Sequence, residues 1–295
     1  MKRKIKFIIN PKSGIHKKND IPQLIEENID ADLFDFSIHH TEYAKHAKDI
    51  AKQCVLEGFD IVCAIGGDGS VHEVGTALIG TSTQLAIIPA GSGNGLARHL
   101  KIPLDLKQAI QALNTAQNKV VDTVLINDKP FLNVAGFGFD AHIAKAFNHY
   151  HQRGFWGYVK LVTREYFNFK PLDFTIEING QNRKEKLLLC TVANASEFGN
   201  SFFISPDSDV SDGNIELCLL KPFPWFMIPV ILYKFVKKKH DTSTRFEIIP
   251  FKKARVTLHK QLAHFDGEPF DTRQELNIEV IPLSLNVLVG KKIRL

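Results

Sequence analysis

No apolar run in this 295-residue sequence reaches the roughly 20 residues that a helix needs to cross a bilayer. The longest, PFPWFMIPVILYKFV at 222–236, contains two internal prolines and a lysine, which excludes a membrane-spanning helix there. After its basic start the N-terminus offers only a few apolar residues before Asn10 and Pro11. That is short of the roughly 7–15-residue core of a signal peptide, so export is not expected. Cysteine is scarce as well: Cys54, Cys63, Cys190 and Cys218 lie far apart in apolar surroundings with no C-x-x-C pair, which points to reduced thiols in a cytoplasmic protein. The histidines form no H-E-x-x-H or Cys/His set, so zinc is not expected. No glycine turn ends in G-K-[ST], none has the G-x-G-x-x-G spacing, and no nucleic-acid-binding signature is visible. What remains in excess is positive charge. A net +5 with a pI near 8.9 favours an anionic partner, and nucleic acid, a phosphate-bearing ligand and an acidic membrane face all satisfy it.

Up to about residue 123, strand-like and helix-like pieces alternate, as in a parallel sheet with crossover helices. KIKFIIN (4–10) and FDFSIHH (34–40) read as strands, and the continuously apolar DIVCAI (60–65) and QLAIIP (84–89) as buried ones. Between Tyr43 and Glu57 apolar residues recur at helical spacing, with Thr41 the expected N-cap and Gly58 the expected stop; DLKQAIQALNTA (105–116) is helical again. After Val121 the texture is β-rich with turn signals such as Asn179-Gly180, which predicts an antiparallel second domain. The expected division is 1–123 and 124–295, with the C-terminal strand able to pack back on the first domain.

The densest signal is CAIGGDGSVHEV at 63–74. An apolar strand feeding Gly66, Gly67, Asp68, Gly69 and Ser70 into a helix with Val71 and His72 can aim backbone N–H groups at an anion, because glycines accept unusual angles and leave no side chain in the way. A tight turn without ligand would use the same glycines. Asp68 weighs against it, since a carboxylate among phosphate-binding amides is repulsive unless it serves a metal ion, a donor group of the substrate or a proton transfer. PAGSGNGLARHL repeats the arrangement after the next strand, with Gly91, Ser92, Gly93, Asn94, Gly95 and Arg98. NPKSG at 10–14 follows the first strand, with Lys12 able to counter phosphate charge. In the second domain, Glu268 sits beside Gly267 in HFDGEPFD and reads either as a solvated turn or as a base; the acidic run Asp207, Asp209, Asp212 reads as a polar turn or a hard-cation loop. The segment 222–240 joins aromatic bulk to Lys237, Lys238 and Lys239, as a core helix with a basic end or an interfacial docking element would.

Taken in order, NPKSG, TEYAKHAKDIA (41–51), GGDGS, PAGSGN, VDTVLIN with FLNVAGFGFDAHI (121–143), PDSDVSDGNIEL and FDGEP resemble the diacylglycerol kinase catalytic family of lipid kinases, over nearly the whole chain. GGDG alone also occurs in NAD kinases and phosphofructokinases; the ordered set is the specific part. The resemblance implies an NAD-kinase/phosphofructokinase-like α/β nucleotide-binding domain followed by an antiparallel β-sandwich, with ATP and Mg2+ as cofactors. It assigns Asn10, Thr41, the Gly66–His72 loop and Ser92 to ATP, and makes Glu268 the general base with Asp68 as rival. Asp209, Asp212 and Asn214 match a magnesium loop, Asp122 a water-and-magnesium network, and Asp140 a lipid-facing carboxylate. A membrane lipid acceptor and peripheral membrane association follow, nucleic acid is not expected, and a homodimer stays open. GGDGS followed by His72, and GSGNG, look more like the sphingoid-kinase branch, so the acceptor is open among diacylglycerol, sphingoid bases and related lipids. The rival readings are a soluble-substrate kinase and a non-catalytic, nucleotide-gated lipid-binding protein.

Overall fold

Strand ends, and the starts of the helices that follow them, carry most of the residues singled out above. The computed structural model describes residues 2–12, 20–148, 150, 155–240, 243–258, 262–271 and 273–290. It divides into two compact units, residues Met1–Val121 with Leu283–Leu295, and Asp122–Pro282. Residues 283–295, assigned from sequence to the second domain with the option of packing back, thus group with the first.

The first unit is built from β1 (Arg3–Ile9), α1 (Ile21–Asn28), β2 (Phe34–His40), α2 (His46–Leu56), β3 (Ile61–Gly66), α3 (Asp68–Leu78), β4 (Gln84–Pro89), α4 (Gly95–His99) and α5 (Leu106–Leu113). Its sheet runs β2-β1-β3-β4, all parallel. β3 is buried along its whole length, which is why its sequence shows no polar alternation. Because parallel strands deliver all their carboxyl ends to one edge, Asn10, Thr41, Gly67 and Ala90 emerge together there. Backbone bonds from Asn10 N to Ile65 O, Thr41 N to Ile9 O and Ala90 N to Gly66 O fix that edge.

Thr41 is not the N-cap of α2. The helix starts five residues later, after Lys45 turns left-handed at φ 70°, and Thr41 stays on the strand edge. Gly58, at φ +71°, does end it.

β5 (Gln117–Ile126) crosses into the second unit, which continues with β6 (Lys129–Phe131), β7 (Val134–Gly138), α6 (Phe139–Asn148), α7 (Phe155–Tyr166), β8 (Leu172–Ile178), β9 (Gln181–Leu187), β10 (Leu189–Ala193), β11 (Glu197–Gly199), β12 (Phe202–Phe203), β13 (Ile215–Leu220), a short 3-10 turn (Trp225–Met227), α8 (Ile228–Lys237), β14 (Phe246–Phe251), β15 (Lys253–Leu258), β16 (Leu262–Phe265), β17 (Glu268–Asp271) and β18 (Glu275–Val289). One antiparallel sheet runs β14-β13-β10-β7-β16-β17, and β18, β15, β8 and β9 form the facing antiparallel array. Their shared core includes Phe131, Phe137, Phe174, Leu217 and Val256. The opposite face of the first sheet is also buried, against α6, α7 and α8, so β13 sends Ile215, Leu217 and Leu219 to one core and Cys218 and Leu220 to the other. That is why IELCLL lacks the alternation of a half-exposed strand. α6 and α7 are additions to the β-rich reading of this region.

Candidate functional site

The carboxyl edge of the first unit is held by side chains that close its turns on one another. Asn10 Nδ2 donates to Ser70 Oγ at 3.1 Å, joining the first turn to α3, while Asn10 Oδ1 accepts from Lys12 N at 2.9 Å. Ser13 and Gly14 of NPKSG lie outside the described residues. Asp68 opens α3 and both its oxygens accept backbone bonds, Oδ2 from Asn94 N at 2.8 Å and Oδ1 from Gly95 N at 2.7 Å. This task was absent from the three options drawn from sequence: the carboxylate fastens the second glycine turn to the first and caps α4. Asn94, left-handed at φ 55°, returns its side chain to Gly91, accepting from Gly91 N at 3.0 Å and donating to Gly91 O at 2.9 Å. Arg98 folds back too, with Nε donating to Gly93 O at 3.0 Å.

Two expectations change accordingly. The amides of Gly91, Asn94 and Gly95, expected to face a phosphate, are bonded within the protein. The glycines at the core of the edge also serve for closeness, not for angle: neither Gly67 nor Gly91 has positive φ. A Cβ on Gly91 would collide with Gly67 Cα and lie 2.9 Å from Asn94 Oδ1, so the two turns touch backbone to backbone. At the start of α3, the cap residue Gly67 has no side chain to accept from the first-turn N–H groups. An 11-residue helix with such an end, floored by glycine backbone, fits an anionic phosphate group. Thr41, Lys12, Ser92 and His72 belong to the same unit, and Lys12 is exposed.

The second unit holds two further groupings. Buried Asp122 accepts from Gly213 N through Oδ2 at 2.8 Å, and its own N–H donates to Val210 O, so it is fastened to the acidic loop. In that loop Asp209 Oδ1 accepts from Ser211 N and Oγ, and Asp212 Oδ1 from Asn214 N. Among the described residues no three His, Cys, Asp or Glu side chains converge as a cation site. Beneath the loop lies Glu216, which sequence reasoning passed over. Burial, with the charges of Asp212 and Asp209, pushes its carboxyl up to about 7, against a 2.5 Å hydrogen bond from Ser208 Oγ that acts the other way.

The other grouping surrounds Asp140, at the start of α6. Thr191 Oγ1 donates to Asp140 Oδ2, and His264 Nε2 lies 3.6 Å from the same oxygen, with both side chains only 4% exposed. His264 Nδ1 accepts from Gly267 N at 3.3 Å, while Nε2 faces Asp140. Gly136 makes room for this cluster; a Cβ there would collide with the Asp140 carboxylate and approach His264 Nε2 to 2.5 Å. Gly267, at φ +88°, turns the β16–β17 hairpin, and Glu268 follows it, exposed. The hairpin is anchored by Asp266, whose carboxylate accepts from Leu132 N, Asn133 N and Val134 N at 3.1, 2.8 and 3.2 Å. Asp266 is the aspartate of FDGEP, so its signal lay in the motif already singled out.

Among the described residues Asp140 is also the only charged one lining an apolar pocket between the sheet and the helices, whose walls include Ile143, Tyr158, Val162, Phe202, Phe223 and Phe235. Burial, and then the charge of Asp140, raises the Tyr158 phenol so that it stays a hydrogen-bond donor. The structure therefore gathers Asn10, Asp68, Ser70, Gly91 and Asn94 in one unit and Asp140 with the Glu268 hairpin in the other.

Residues 4–126 match the diacylglycerol kinase catalytic domain, and residues 133–289 match the YegS C-terminal NAD kinase beta sandwich-like domain. A protein of Synechocystis sp. is 30% identical over 202 residues, 64% of this chain, and the chain spans only 47% of that protein's length. The diacylglycerol kinase of Bacillus subtilis is 29% identical over 230 residues, 74% of each chain. The crystal structure of a diacylglycerol kinase from Bacillus anthracis superposes with a TM-score of 0.77 over 99% of this chain and 98% of that one, at 21% identity, a likeness of fold.

Proposed function

Because this chain belongs to the diacylglycerol kinase catalytic family, with the YegS-type C-terminal domain attached, we propose that it transfers the γ-phosphate of ATP to a lipid hydroxyl. Membership makes it a phosphotransferase with ATP as donor; the lipid acceptor is the further step. The observation that carries that step is the pocket in the second unit, lined mostly by apolar and aromatic side chains, with Asp140 its one charged group among the described residues. Such a lining takes a hydrocarbon chain and leaves one acceptor for a polar head. A soluble-substrate kinase of the NAD-kinase type would have no use for it.

In this reading the N–H groups at the start of α3 hold donor phosphate and the Gly67–Gly91 contact keeps side chains out of its way. Asp68 positions rather than reacts, since both its oxygens hold amides of the neighbouring turn. Glu268 takes the proton of the acceptor hydroxyl as its oxygen bonds to the γ-phosphorus and the bond from that phosphorus to the departing ADP breaks. Asp266 and His264 hold the turn that presents it. Magnesium would neutralise phosphate charge, and the backbone carbonyls of Asp209 and Asn214 with Asp122 and Asp212 would hold it.

The test is labelled ATP with diacylglycerol, a sphingoid base, ceramide, phosphatidylglycerol and NAD in mixed micelles, with and without magnesium. Phosphorylation of one lipid is expected. Phosphorylation of NAD alone, or ATP hydrolysis indifferent to every lipid, refutes the reading.

A further inference from the structure

The pocket leaves unexplained the outer side of the segment that closes it. In α8, Ile228, Ile231 and Phe235 face inward and line the apolar pocket. On the opposite stripe Val230 and Tyr233 are 49 and 53% exposed, and Trp225 and Phe226 in the preceding turn are 63 and 64% exposed. Exposed aromatic groupings of this kind on a protein surface mark an interaction site. Tyr166 stacks on Phe223 with ring centroids 5.1 Å apart, and its neighbour Phe167 is also exposed. The helix ends where Lys238 turns left-handed, which places Lys237, Lys238 and Lys239 together at its basic end. From residue 217 to residue 240 the sequence contains five lysines and no aspartate or glutamate.

We propose that the outward face of the Trp225–Lys239 segment docks the protein onto an anionic lipid bilayer, its aromatic side chains entering the head-group layer and its lysines lying against acidic head groups. The choice of a bilayer over a protein partner rests on the lipid-kinase reading and on the unbroken positive charge, which complements a surface of phosphates and no structured partner in particular. No helix among the described residues is long and apolar enough to cross a membrane, so the contact is interfacial. One helix then has two apolar jobs: its inner face bounds the pocket while its outer face rests in the layer that holds the acceptor.

Sedimentation of the full chain with phosphatidylcholine vesicles, with and without phosphatidylglycerol, tests the proposal. Binding is expected only to the anionic vesicles. Lys237→Gln with Lys239→Gln should weaken it by roughly 25-fold at low salt, about fivefold per lysine, with less effect at high salt. Trp225→Ser with Phe226→Ser should weaken it at least tenfold at any salt. The chain has two tryptophans, so Trp156→Phe isolates Trp225, whose emission should shift to the blue on anionic vesicles. Both double variants should melt as the wild type does and phosphorylate a short-chain, monomeric acceptor at the wild-type rate. Vesicle binding absent in the wild type, equal in the variants, or leaving Trp225 emission unmoved overturns the docking surface. If instead no acceptor is phosphorylated while vesicle binding and its variants behave as stated, the kinase reading falls and the docking surface stands.

Discussion

Replacing Asp68 by asparagine separates a positioning carboxylate from a chemical one. Asp68 accepts two backbone hydrogen bonds, at 2.7 and 2.8 Å, as a charged acceptor. Bonds to a charged group contribute about 1.5–3 kcal/mol each. A carboxamide can keep one of them, but its NH2 then faces the other N–H, donor against donor, so one bond is lost and a half-buried amide is left without a partner. The expected destabilisation is about 2–4 kcal/mol, or a fall of roughly 10 °C in Tm for a unit of this size. Because the loss loosens the second glycine turn, KM for ATP should rise about tenfold while kcat falls by less than that. Calorimetry with steady-state kinetics reads both. An Asp68→Asn protein that melts like the wild type, binds ATP normally and loses three orders of magnitude in kcat would mean that Asp68 acts on the reacting atoms, and the positioning argument would fail.

Glu268→Gln should behave in the opposite way: kcat down by about 10²–10⁴ with Tm unchanged, since the side chain is exposed, and near-normal turnover would remove it from the mechanism. Gly91→Ala should cost about 2–3 kcal/mol through the clash with Gly67, whereas Gly290→Ala, whose Cβ would sit 3.7 Å from Ala112, should be neutral or slightly stabilising; equal melting of the two would show that the turns do not touch. Glu216 gives a pH signature. Its folded value of about 7 lies above the ordinary 4.5, so the native state keeps a proton that the unfolded chain releases, and stability should decline as pH rises from about 4.5 through 7. Glu216→Gln should therefore match the wild type near pH 4.5 and exceed it near pH 8 by up to about 3 kcal/mol, read from Tm across that range; parallel profiles would contradict the assignment.

The strands of the first unit were legible because buried parallel strands are short continuous apolar runs, and FDFSIHH and QLAIIP became β2 and β4 at their stated limits. Turn chemistry was legible too: Asn179 and Gly180 both adopt positive φ in the β8–β9 hairpin. The helices α6 and α7 were not. The aromatic and β-branched residues of α7 favour a strand locally, and burial against the sheet decides otherwise. The pairings that shape the site join residues far apart in sequence, such as Gly67 with Gly91, Asp68 with Gly95 and Asp140 with His264, and no local pattern encodes them. Asp266 is a different case, since an acidic residue directly before a turn glycine invites backbone bonding, yet Glu268 drew the attention in the same motif.

The last strand belongs to both halves of the molecule. Residues 275–279 of β18 pair with β15 in the second unit, and beyond Leu283, at φ 46°, the same strand meets β4 at Val287↔Leu85 while Ser284 O accepts from Gly80 N. A fragment cut after Val121 would therefore lack a strand and present the bare flank of β4 to other chains. During synthesis that flank stays open until the ribosome has made the entire second unit. The first unit is translated ahead of the second yet is finished only after it, so slow maturation and early self-association are hazards written into its strand order.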